Sequence, residues 1–211
     1  MPNLTDTDVF PKDIFRRVDE SGDELFYDFP RLVTHIDDQA IRVVTELYLE
    51  FFPSGGAILD LMSSFVSHLP PEINYLRVAG LGMSREELAA NPRLTERVVQ
   101  NLNANTNLPY GDAEFDGAGI CVSVQYLTEP IKVFREVARV LKDDAPLVVT
   151  FSNRCFPTKA VFAWNALDDG GHIRLVSEYF SRSERFGDVK IRKHLPRNSD
   201  PLFAVVGRVK K

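Results

Sequence analysis

Residues 118–151, AGICVSVQYLTEPIKVFREVARVLKDDAPLVVTF, read as a strand, a helix and a second strand. Ala118 to Val124 is apolar on both faces, as a central strand of a parallel sheet is. Ile131, Phe134, Val137, Val140 and Leu141 then recur at helical spacing and form one apolar stripe. Leu147 to Phe151 is apolar again and supplies the next strand. A strand pair connected through a helix is parallel, with a right-handed crossover.

The same alternation extends in both directions. Upstream, Ala57 to Leu61 and Tyr75 to Gly80 read as strands, and Arg97 to Leu102 as a third. Ser84 is placed to cap a short helix, Arg85 to Ala90, with Glu87 at the capping-box position. Asn91-Pro92 ends that helix. Ahead of all these, Ile41, Val44, Leu47, Tyr48 and Phe51 give a helix over Ile36 to Phe52, broken by Pro53-Ser54-Gly55-Gly56. Downstream, Thr158 to Ala166 and Ile173 to Ser183 read as helical. Asp188 to Leu195 and Pro201 to Val209 are strands, separated only by a turn at Arg197-Asn198-Ser199-Asp200. No helix fits between them, so they form a hairpin and one runs antiparallel. The expected fold is α/β: a Rossmann-like, doubly wound, seven-stranded, mostly parallel sheet with a C-terminal antiparallel hairpin. Residues 36–211 form the domain. Residues 1–35 form an N-terminal arm or lid, whose polar first 24 residues are expected to be loosely held.

Composition narrows the function. Hydrophobic residues make up 44% and charged residues 26%, which is globular composition. The net charge of -5 argues against a sequence-independent grip on nucleic acid, which needs a basic face. Two cysteines, Cys121 and Cys155, form no CxxC and no metal-ligand spacing, so no metal is expected and a reducing, cytoplasmic setting is. No apolar run reaches the roughly 18 residues of a membrane span, and the opening MPNLTDTDVFPKD has no apolar leader segment. There is no GxSxG elbow and no HExxH. Gly80-Leu81-Gly82 lacks the third glycine of a dinucleotide loop, and Asn91-Pro92 cuts short the helix after it, which argues against an NAD site.

Four segments carry a resemblance. They are Ile58-Leu59-Asp60-Leu61, Leu108-Pro109-Tyr110 followed by Glu114-Phe115-Asp116, Val122-Ser123-Val124-Gln125-Tyr126-Leu127, and Glu136-Val137-Ala138-Arg139-Val140-Leu141-Lys142. In this order, over residues 36–209, they resemble the class I S-adenosylmethionine-dependent methyltransferases, in particular the small-molecule group often called type 11. The resemblance implies S-adenosylmethionine as cofactor and methyl transfer to a small-molecule acceptor. Asp60 would bond the cofactor's amino-acid end or order the loop after the first strand. Met62, Ser63 and Ser64 stand in that loop where the family carries glycines, and the serines would offer hydroxyls to the methionine end. Gly82 stands where the family carries an acidic residue for the ribose diol. Asn101, Leu102 and Asn103 would hold adenine, since an amide can both donate and accept at its edge. Ser123 lies at the end of the fourth strand, where ligands bind in open sheets. Asn107-Leu108-Pro109-Tyr110 resembles the N-P-P-Y motif of amino methyltransferases but precedes the fourth strand, so that inference is rejected.

The catalytic candidates are Tyr126 at the end of the fourth strand, His35 in the arm and His172 after the fifth strand. Arg154 and Lys159 are candidates to clamp an anion. The altered glycine loop and the missing ribose carboxylate keep a second reading open: a catalytically inactive binding or regulatory protein of the same fold. Neither reading sets the oligomeric state.

Overall fold

A computed structural model describes residues 11–210 of the chain. The stretch read as lacking an apolar leader, up to residue 10, lies outside the described residues, as does Lys211. Helices α1 (Asp23–Phe26) and α2 (Asp38–Phe51) precede β1 (Ala57–Leu61) and β2 (Arg77–Gly82). Then follow α3 (Arg85–Ala90), β3 (Glu96–Val99), β4 (Gly117–Cys121), α4 (Pro130–Val140) and β5 (Pro146–Phe151). The chain ends with α5 (Phe162–Asn165), α6 (Asp169–Ser183), β6 (Phe186–His194) and β7 (Leu202–Val209).

The seven strands form one sheet in the order β3-β2-β1-β4-β5-β7-β6. Strands β1 to β5 pair in parallel, while β7 runs antiparallel to both β5 and β6. The hairpin is the one the short turn requires, and it lets β7 insert beside β5. The strands alternate their side chains between two cores. Leu59, Leu61, Ile120 and Val149 face one side with Phe134 and Val137 of α4 and Phe180 of α6. Ile58, Val78 and Val148 face the other with Val44, Leu47 and Tyr48 of α2. Each such large side chain, fully buried, contributes about 1.5–3 kcal/mol.

Helix α2 begins where Asp37 accepts from the backbone N–H of Ala40 at 2.9 Å. The same carboxylate accepts from the Ser199 hydroxyl at 2.6 Å and the Asp200 N–H at 2.7 Å, so the cap also ties down the β6–β7 turn.

Local structure departs from the sequence reading in four places. The expected fourth strand stops at Cys121, because Val122 takes a left-handed φ of 48° and the next three residues form a 3-10 turn. Helix is confined to Phe162–Asn165 in the stretch read as helical from 158. Ser84 does cap α3, but the Glu87 carboxylate turns away to accept from Ser64 and from the Arg31 N–H. The third strand stops at Val99 rather than Leu102. Residues 62–76, where the sequence marks no helix, cross from β1 to β2 as an irregular segment.

Described residues of the arm are held more firmly than their polarity suggests. Arg17 pairs with Val161 as an isolated β-bridge. Lys159, 3% exposed, lies 3.1 Å from Asp19 and 3.6 Å from Asp23, and Arg17 meets Asp23 at 2.5 Å. Charges read as solvated are buried here because they are paired.

Candidate functional site

The crossover from β1 is built on side chains rather than glycines. Asp60, buried beneath it, accepts two hydrogen bonds on one oxygen, from the hydroxyls of Ser63 and Ser67, at 2.6 Å each. The Ser64 hydroxyl donates to Glu87 at 2.7 Å. The Asn91 amide donates to the Ser64 carbonyl and to the Ser67 hydroxyl, both at 2.9 Å. Met62 and His68, with φ of 57° and 53°, turn the chain at either end of this knot. The left-handed bend that glycine makes freely is here adopted by a methionine and fixed by five side-chain bonds around it.

The bend sets what can stand at the end of β2. Ser63 donates its N–H to the Leu81 carbonyl at 2.8 Å, which lays its own carbonyl over Gly82. A β-carbon at position 82 would overlap that oxygen. The position expected to lack a carboxylate is thus one where no side chain fits.

A cavity of about 300 Å³ opens at the carboxyl ends of the strands. Met62, Ser63, Ser64, Gly82, Asn101, Leu102, Asn103 and Ser123 all line it. Asp60 does not line it, so of its two expected roles the structure gives it the ordering of the loop. Burial pushes its carboxyl up to about 6 despite the two serine bonds. The hydroxyls of Ser63 and Ser64 donate to Asp60 and Glu87, so they have no proton left for a ligand carboxylate.

The amides divide. Asn103 donates to the Tyr126 carbonyl at 2.9 Å and to Asp23 at 3.0 Å, while its oxygen accepts from the N–H and hydroxyl of Thr128. Its amide is saturated, which corrects the expectation that it reads adenine. Asn101 donates to Glu24 at 3.0 Å and its amide oxygen accepts from the Asn103 N–H at 2.9 Å. Ser123 is the contrasting case. Its hydroxyl is buried without a partner on the cavity wall, one residue beyond the left-handed Val122. A β-branched residue in that conformation costs about 1–3 kcal/mol. The Thr150 carbonyl accepts from its N–H at 2.9 Å and the Gln125 amide donates to its carbonyl at 3.0 Å.

The catalytic candidates also separate. Tyr126 lines the cavity, but its hydroxyl accepts from the Phe156 N–H at 2.9 Å, and burial pushes it up to about 12. It stays protonated. His172 is not in the cavity wall: it is buried in α6, flat against Trp164, with Nε2 2.8 Å from the Trp164 carbonyl. Its apolar neighbours make it part of the core, and the catalytic expectation is corrected. His35 lines the cavity, edge-on to Phe156 at 5.3 Å. Burial holds its imidazole below the usual value, Arg31 adds to that, and Glu87 opposes both. Of the two anion-clamp candidates, Lys159 is taken up by Asp19, Ser21 and Asp23, whereas Arg154 is mostly exposed and bonds Asp200 at 2.8 Å.

Sequence reasoning missed Arg31, Glu87 and Phe156 as cavity residues. Glu87 was visible only as a cap, and its placement depends on Ser64, 23 residues away. Among the described residues there is no cluster of metal-ligating side chains, and no helix long and apolar enough to cross a membrane.

The cavity wall combines thioethers and leucines with an orphan hydroxyl, the Asn101 amide and two carboxylates. Residues 63–149 match the model of a methyltransferase-domain family. No curated protein matches the chain by sequence. Among solved structures, the [4+2]-cyclase SpnF superposes with a TM-score of 0.62 at 16% identity, over 89% of this chain and 91% of its own. An S-adenosylmethionine-dependent methyltransferase from Aquifex aeolicus gives 0.55 at 15% identity, over 89% and 97%. A Haemonchus contortus phosphoethanolamine N-methyltransferase, solved with S-adenosyl-L-methionine, gives 0.59 at 12% identity, over 82% and 53%. With a methyltransferase-domain match across its central strands and the strand order 3-2-1-4-5-7-6 from edge to edge, the chain has the fold of the class I S-adenosylmethionine-dependent methyltransferases.

Proposed function

We propose that the protein transfers a methyl group from S-adenosylmethionine to a small-molecule acceptor. One observation carries this reading: Ser123, with its unpartnered buried hydroxyl, and His35, with its imidazole held neutral, line a single cavity at the strand ends. S-adenosylmethionine, when bound, supplies an electrophilic methyl group. The chain has to hold an acceptor beside it, exclude water and take up a proton.

Ser123, with its orphan hydroxyl, and Asn101, with one amide hydrogen unused, would help hold the cofactor, with Met62, Met83 and Leu102 as its apolar walls. The arm covers the cavity with Tyr27, Arg31 and His35. His35 accepts the acceptor's proton, since a neutral imidazole is a base at neutral pH and Tyr126 is not. The net charge of -5 favours a small acceptor over nucleic acid. Unpaired Cys121 and Cys155 accord with a cytoplasmic setting.

The saturated Asn103 and the arm carboxylates beside it favour the rival reading, a non-catalytic binding module. Calorimetric titration with S-adenosylhomocysteine tests the cofactor site on which methyl transfer depends. Micromolar binding, weakened by Ser123→Ala, is expected, and it justifies a screen of acceptors. Absence of binding at millimolar ligand overturns methyl transfer.

A further inference from the structure

Two carboxylates line the cavity, and they are differently occupied. Asp23 faces Arg17 at 2.5 Å and Lys159 at 3.6 Å, and accepts from the Asn103 amide. Glu87 is 5% exposed and, among the described residues, forms no ion pair. Its partners are the Arg31 N–H and the Ser64 hydroxyl, both at 2.7 Å, one to each oxygen. Burying a carboxylate without a counter-charge is costly unless its acceptor positions are filled. A carboxylate has about four such positions, so two remain on a residue that forms part of the cavity wall.

Two acceptor sites on one planar group match a ligand with two adjacent donors. A vicinal diol is such a group, and hydroxyl-to-carboxylate bonds are charge-assisted. The neighbouring wall explains why this carboxylate comes from α3. At the end of β2, the Ser63 carbonyl excludes any side chain at position 82. Glu87, five residues further on, reaches back to Ser64 of the same crossover. It thereby sets an anion beside Ser64, Gly82 and Met83 in the cavity wall.

We propose that Glu87, in the first turn of α3, recognises the vicinal ribose hydroxyls of the cofactor's adenosine moiety. This rests on the methyl-transfer reading. The test is a cycle of titrations: S-adenosylhomocysteine and its 2′-deoxy and 3′-deoxy analogues, each against wild type and Glu87→Gln. Wild type should bind either deoxy analogue about tenfold or more weakly than the parent. Glu87→Gln should bind the parent weakly too, and should no longer distinguish it from the analogues. Equal weakening of all three ligands in E87Q would overturn the proposal and leave Glu87 as a brace for the loop. So would a wild type indifferent to the missing hydroxyls, a comparison that needs no substitution and no folding control. If the parent ligand does not bind wild type, the methyl-transfer reading falls with it. If the parent binds and the hydroxyls do not matter, only the role of Glu87 falls.

Discussion

The imidazole of His172 lies on the indole of Trp164 with ring centroids 4.0 Å apart and planes within 5°. Nε2 sits 2.8 Å from the Trp164 carbonyl, which closes the turn between α5 and α6. His172→Ala should therefore lower stability by about 1–3 kcal/mol through the lost stack and bond. It should leave S-adenosylhomocysteine affinity unchanged. Denaturant unfolding and titration measure the two, and a tenfold loss of affinity would return the residue to the site.

His35 should govern the acidic limb of the pH–rate profile. Its folded-state value is depressed below the usual imidazole value of about 6.5. The neutral, basic form therefore persists as pH falls through 6.5, and activity drops only below that. His35→Gln should cost on the order of 100-fold in kcat/KM and remove the limb. A profile whose limb survives the substitution assigns the proton to another group.

Asp60 makes the opposite contribution to stability from an ion-paired carboxylate. Its value is raised from 3.8 to about 6, so the folded chain binds the proton more tightly than the unfolded chain. Stability falls as pH rises from about 4 to 6 and is level above that, a loss of about 3 kcal/mol at most. Asp60→Asn removes this slope. The variant should gain on wild type between pH 4.5 and 7.5 in denaturant unfolding, and a difference independent of pH would contradict the buried-charge argument.

Gly82→Ala should destabilise by about 1–3 kcal/mol, because its β-carbon meets backbone and not a yielding side chain. Gly82→Asp, which reinstates the acidic residue the family carries there, should weaken rather than improve binding of S-adenosylhomocysteine. Improved binding would mean that the Ser63 carbonyl can move aside at little cost.

Lys159→Met leaves Asp19 without its cation and Asp23 with Arg17 alone. Amide exchange over residues 11–35 should accelerate while β1, β4 and β5 keep their protection. Uniform acceleration across the sheet would show that the arm is part of the global fold.

The succession of strands and helices and the closing hairpin were legible because they rest on periods within the chain: two-sided apolar runs, one amphipathic stripe in α4, and a turn at 197–200 too short for a helix. The cavity residues at the strand ends were expected from the family resemblance and line the cavity. What escaped reading depends on partners far off in sequence. Arg17, Asp23 and Lys159 look like surface charges until residues 17 and 159 meet. Asn103 looks like a free amide until Asp23, Tyr126 and Thr128 close around it. Val122 looks like strand, since nothing in an apolar run signals a left-handed turn held by Thr150 and Gln125.

The fit of Ser63 over Gly82 also bears on how such a sequence can change over generations. Placing glycines at positions 62–64 alone would delete the Ser63 bond to Asp60 and the Ser64 bond to Glu87, leaving each buried carboxylate with one donor, the Ser67 hydroxyl or the Arg31 N–H. Restoring an acid at position 82 alone would collide with the backbone above it. Each change alone carries a cost, so the crossover serines and the glycine at 82 constrain each other, and the loop resists alteration one residue at a time.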